Sequence, residues 1–206
     1  MRISVFGGSH LSEGSPPYVA AMELGRGLAQ RGHTVLTGGY SGTMEAVSRG
    51  AVEGGGHVIG VTCGDIERSH RRITNRWVQE EWKKETLLER LEALISGCKA
   101  AMALPGGPGT LTEIALTWNL MIVGRVDRLP LILIGQEWAT LFHQFFERLG
   151  DYVPPKQREM LLFAADPAAA LELVEAANGQ TGAEGAAANP SKDDSANTTP
   201  FREHNG

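Results

Sequence analysis

The chain has 206 residues, 42% of them hydrophobic and 21% charged, and a formal net charge of 19 − 24 = −5. That length and balance suit a single globular domain, and a mildly acidic chain has no field for holding DNA or RNA, so nucleic acid is not expected as a partner. No apolar run approaches the ~20 residues of a membrane-spanning helix, residues 1–5 do not read as a signal peptide, and Cys63 and Cys98 have neither the number nor the spacing of a disulfide scaffold or metal site. A cytoplasmic protein without a membrane partner, a metal or an organic cofactor is expected.

In chain order, short apolar runs alternate with amphipathic stretches. Strands are expected at residues 3–6, 34–37, 58–61, 100–104, 131–134 and, more weakly, 161–163, and helices near 18–31, 43–54, 85–96, 110–123, 139–149 and 167–177. Most of the strand runs are continuously apolar, as in strands buried on both faces of a parallel sheet. Strand–helix alternation with short joints then gives an α/β fold, a doubly wound parallel sheet of about six to seven strands in one domain over residues 1–177. Residues 178–206 hold a single large apolar side chain, Phe201, and are expected to be a disordered tail. Residues 64–84 read as a long charged joint carrying Arg68, Arg71, Arg72, Arg76, Trp77 and Trp82: a lid or substrate-reading loop, a solvated loop, or a dimer contact.

Glycine is over-represented, 26 residues, about twice the usual ~7%. Three glycine-rich joints follow strands and precede helices: Gly7-Gly8-Ser9, Gly38-Gly39-Tyr40-Ser41-Gly42-Thr43, and Pro105-Gly106-Gly107-Pro108-Gly109-Thr110. Ligands of open α/β sheets bind at the carboxyl edge, glycine permits close backbone approach, and helix starts offer free N–H groups to anions. Gly8, Ser9, Gly39, Ser41, Gly42, Thr43, Pro105, Gly106, Gly107, Gly109 and Thr110 are therefore candidate phosphate and substrate contacts, the alternative being glycines that simply make tight turns. A P-loop is excluded because no G-x-x-x-x-G-K-[ST] occurs, and the first joint lacks G-x-G-x-x-G.

The segment PGGPGTLTE, residues 105–113, resembles the PGGxGTxxE signature of the LOG ("LONELY GUY") family, Rossmann-like proteins also labelled "lysine decarboxylase-like". The similarity runs from VFGGS at residues 5–9 through GGYSGTMEA at residues 38–46 to the strand near Ile134. It implies a phosphoribohydrolase that cuts the N-glycosidic bond of a cytokinin riboside or purine nucleoside 5′-monophosphate, with Arg90 and Glu113 as catalytic pair and a homodimeric assembly. The second loop departs from the family's GGGxxGLMG, with Tyr40 and Glu45 in place of glycines, and Thr112 stands where many of the hydrolases carry another glutamate.

Each residue has a plainer reading. Thr110 and Glu113 are spaced as a capping box. Arg90 lies on the flank of the Leu87, Leu88, Leu91, Leu94 and Ile95 stripe, with no acidic partner at i±3 or i±4; it reaches either a ligand phosphate and Glu113, or solvent. Ser41 or Thr43 suits an N-cap, His10 a cavity lining or nothing, and the apolar run at residues 118–123 a dimer interface. Decarboxylation through a pyridoxal Schiff base is not expected, because none of the five lysines, Lys83, Lys84, Lys99, Lys156 and Lys192, lies in a glycine-rich joint. The competing reading is a non-catalytic carrier of a phosphorylated ligand, such as a nucleotide or a molybdenum cofactor.

Overall fold

Strands whose side chains are apolar on both faces need cover on both, and the chain supplies it by alternating strand with helix. The computed structural model describes residues 1–71 and 73–186, with side chains through Asn178. In order the elements are β1 (Arg2–Phe6), α1 (Pro16–Gln30), β2 (Thr34–Thr37), α2 (Thr43–Glu53), β3 (Val58–Cys63), α3 (Gly64–His70) and β4 (Glu80–Lys84). Then come α4 (Leu87–Ser96), β5 (Ala100–Ala103), α5 (Pro108–Ile122), β6 (Leu131–Ile134), α6 (Gln136–Leu149), a 3-10 turn (Gly150–Tyr152), α7 (Pro155–Arg158), β7 (Leu161–Ala164) and α8 (Pro167–Ala186).

All seven strands are parallel, in the order β4-β3-β2-β1-β5-β6-β7. Side chains alternate across the sheet. In β6, Ile132 and Ile134 join Ile3, Val5, Leu24, Val35 and Val174 under α1, α2 and α8, while Leu131 and Leu133 join Phe6, Leu36, Leu94, Ile114 and Trp138 under α4, α5 and α6. Each such side chain taken out of water is worth roughly 1.5–3 kcal/mol; the buried polar residue within β1, Ser4, donates its hydroxyl to Leu94 O at 2.6 Å.

Several elements differ from the sequence expectation, among them α3, β4, α7 and the end of α8. The joint at residues 64–84 contains α3 and the strand β4, whose sequence EEWKK carries no apolar run. Among the described residues β4 pairs only with β3 and forms the sheet edge, where charged side chains discourage pairing with another chain. α8 runs past residue 177 to Ala186, since each residue added to an existing helix gains a hydrogen bond without a new nucleation cost. The rest of the tail expectation, residues 187–206, lies outside the described residues.

Candidate active site

The strand order reverses between β1 and β5: the chain winds outward from β1 to β4, then returns through α4 to β5 on the other side of β1. The loops leaving the carboxyl ends of these two strands part there and leave a crevice. A cleft of about 730 Å³ opens at that point, lined by residues of all three glycine-rich loops together with α3, α4 and α5, a size that suits a small-molecule site.

The first and third loops form one rim. Gly8 N–H donates to Pro105 O at 3.2 Å, and Gly8, Ser9, Pro105, Gly106, Gly107, Gly109 and Thr110 all line the cleft. α5 begins at Pro108, whose ring presets the first helical φ. The helix therefore starts two residues before the expected Thr110. Gly107 takes the cap position without a side-chain hydrogen bond, so Thr110 and Glu113 form no capping box. The capping box forms instead on α4, between Thr86 and Glu89. First-turn N–H groups of α5, including those of Gly109 and Thr110, have no carbonyl one turn back to accept them.

The second loop divides its residues between bracing and lining. Gly42 has φ 73° and a Cβ there would strike the Ser9 backbone; Thr43 N–H donates to Gly8 O at 2.9 Å, and the Ser41 hydroxyl lies 3.4 Å from Ser9 O. Gly39 backs onto Gly60 and Thr62 of β3. Ser41, Gly42 and Thr43 thus hold the first loop in place from behind while Gly39 packs on β3, whereas Gly38, Tyr40 and Met44 face the cleft. Gly42 takes the cap position of α2, so the cap is neither Ser41 nor Thr43. The Thr43 hydroxyl is buried with no hydrogen-bond partner.

Arg90 and Glu113 converge on the floor. Arg90 is 5% exposed, so it does not extend to solvent from the flank of its helix. Its Nε donates to Val61 O at 2.8 Å, and its Nη1 lies 3.6 Å from Glu113 Oε1. A side chain at position 38 would collide with the guanidinium, and glycine leaves the room. Glu113 is 8% exposed; burial pushes its carboxyl up to about 7, against the pull of Arg90. At 3.6 Å the pair is an ion contact rather than a short hydrogen bond, which leaves carboxylate lone pairs for a ligand.

Tyr40 and Thr112, read from the sequence as departures touching the cavity, do line the cleft, whereas Met44, Ile66, His70, Leu87 and Leu91 were not expected there. Ile66 and His70 are four apart, one helical turn, a spacing readable within the joint once α3 is recognised. Two arginines of that joint serve elsewhere: Arg68 pairs with Asp65 at 2.9 Å, and Arg76 stacks 4.8 Å from the Trp77 ring centre; Arg72 lies outside the described residues. His10 lines the cleft, 3.1 Å from Ser9 Oγ. The run at 118–123 is only partly at the surface, because Trp118 packs edge-on against Phe142, Phe145 and Phe146 and Met121 is buried, while Val123 is exposed.

Residues 1–141 match the family model described as the SLOG cluster4 family. Cytokinin riboside 5'-monophosphate phosphoribohydrolase LOG3 of Arabidopsis thaliana is 36% identical over 79% of this chain and 76% of its own. The enzyme of that name, LOG, from Oryza sativa subsp. japonica is 38% identical over 57% of this chain and 49% of its own, so the chain spans about half the length of that relative. Among solved structures, the Moco carrier protein from Chlamydomonas reinhardtii has a TM-score of 0.65 at 28% identity, covering 87% of this chain and 98% of that one. The molybdenum cofactor binding protein from Rippkaea orientalis, at 23% identity and a TM-score of 0.67, shares the fold. The chain belongs to the SLOG cluster4 family and, by its similarity to LOG3, to the LOG family.

Proposed function

We propose that the protein hydrolyses the N-glycosidic bond of a nucleoside 5′-monophosphate, a cytokinin riboside monophosphate or an AMP-like nucleotide, to the free base and ribose 5-phosphate. The observation that carries this reading is the buried Arg90–Glu113 pair, 3.6 Å apart, beneath a rim of glycine-loop amides and the start of α5. The 5′-phosphate binds at that rim, where free N–H groups and the helix dipole favour an anion. The remote phosphate contact then holds the sugar over Glu113. As the C1′–N bond breaks, its electron pair leaves with the base and positive charge develops on the ribose, which a nearby carboxylate stabilises. Water adds to C1′, giving one proton to Glu113 and onward to the departing base, and Arg90 holds the carboxylate in place throughout.

The test is chromatographic detection of base after incubation with AMP and with cytokinin riboside monophosphates. Base release by the wild type and its loss in Glu113→Gln support the reading; no base from any of these nucleotides refutes it. The likeness to the Chlamydomonas reinhardtii Moco carrier protein favours one second reading, a carrier of a phosphorylated ligand. A carrier is stabilised thermally by its ligand yet forms no product. A homodimer belongs to the first reading, supported by Leu88 on α4 and Val123 at the end of α5, which stand 75% and 66% exposed. So does a cytoplasmic setting, which the free thiols of Cys63 and Cys98 suit. Among the described residues no helix is long and apolar enough to cross a membrane.

A further inference from the structure

Arg90 reaches the floor of the cleft on a long side chain, and something must stop its guanidinium from swinging. The groups that face it are Glu113 from α5, Met44 Sδ from α2 at 4.0 Å, Val61 O from β3, and the Tyr40 ring, whose centre lies 5.7 Å from Cζ. The contact with Glu113 is longer than a hydrogen bond, a thioether is a weak acceptor, and the Val61 carbonyl engages only Nε. The aromatic ring is the remaining restraint on the guanidinium plane.

Tyr40 is itself held at both ends. Its hydroxyl donates to Cys63 O at 3.2 Å and accepts from Cys63 N–H at 2.8 Å. Its own carbonyl accepts from Asn75 Nδ2 at 2.9 Å, and Asn75 N–H donates to the adjacent Gly39 O at 2.8 Å. The ring is 1% exposed. A guanidinium against an aromatic face is attracted by the ring quadrupole, and more so out of water.

We propose that Tyr40 is a positioning residue: a ring anchored to the end of β3 that backs the Arg90 guanidinium and so sets its distance from Glu113. The effect on turnover rests on the hydrolase reading; the effect on Glu113 itself does not. Tyr40→Leu keeps an apolar side chain of useful bulk and removes the aromatic face, whereas Tyr40→Phe keeps the ring and loses the hydroxyl tie.

The full chain, labelled with ¹³C at glutamate Cδ, is titrated by NMR, with the Glu113 signal assigned through Glu113→Gln. In Tyr40→Leu the Glu113 midpoint rises by about 1 pH unit, a tenfold gain in proton affinity, because Arg90 is no longer held against it. With AMP, kcat of the same variant falls about tenfold while KM stays within about twofold, the pattern of a group acting after the substrate is bound. Tyr40→Phe restores most of both. An unchanged midpoint in folded Tyr40→Leu, or a Tyr40→Phe shift as large as that of Tyr40→Leu, overturns the proposal. Should Tyr40→Leu not fold, Tyr40→Met carries the same expectation. If the wild type releases no base, the hydrolase reading fails while the titration still decides the role of Tyr40.

Discussion

Replacing Glu113 by glutamine removes a carboxyl that burial has pushed from 4.5 up to about 7. Between those two values the folded protein keeps a proton that the unfolded chain has already released. Stability is therefore fully present below pH ~4.5, falls as pH rises to ~7, and levels off above. At ~1.36 kcal/mol per pH unit of that window the wild type loses about 3 kcal/mol. Glutamine has nothing to titrate, so the stability of Glu113→Gln relative to wild type should improve by about 3 kcal/mol between pH 4.5 and pH 8. In a domain of this size that is roughly 6–12 °C in Tm, measurable by calorimetry at the two pH values, with urea melts as a second readout. Base release should be lost in the same variant. A relative stability that does not change with pH would show that Glu113 is not held in a desolvating site, and the account of the floor would fall with it.

Other outcomes follow from the same geometry. With the carboxylate as the working form, kcat/KM for AMP should drop below about pH 7 with the slope of one proton, and Glu113→Gln should lack that limb. Gly38→Ala drives a methyl group into the Arg90 guanidinium; it should cut kcat by about 100-fold through misplacement of the pair, and activity within a few-fold of wild type would contradict the packing. Thr43→Val removes a buried hydroxyl that has no partner and should raise stability in urea by about 1 kcal/mol with little change in base release. A lower urea midpoint would show that the hydroxyl is satisfied.

What the sequence revealed of this fold depended on how completely each element is buried. β1, β2, β3, β5 and β6 are legible as apolar runs because both faces of the sheet are covered. β4 was invisible as a strand because an edge needs no such run: Glu80, Glu81, Lys83 and Lys84 satisfy its role better than valines would. The rim was readable from Gly106, Gly107 and Gly109, whose spacing has few other uses. Arg90 was placed on the correct flank by helical angles, but its depth was not, since that depends on the Val61 carbonyl, distant in sequence. The start of α5 was misjudged by weighing Thr110 and Glu113 as a cap over the stronger signal of Pro108. Tyr40 was noted as a departure from a glycine that touches the cavity; the tie to Cys63 that gives it its role is a tertiary contact.

The link from Gly8 to Pro105 has a consequence for how the protein comes of age. It joins the first loop of the chain to one beyond its midpoint, across the pairing of Val5 with Met102. Contacts so far apart along a chain close slowly, so a ribosome-bound fragment that stops short of β5 carries Arg90 yet has no floor on which to use it. On the hydrolase reading, base release would therefore stay silent until the two halves of the sheet have met.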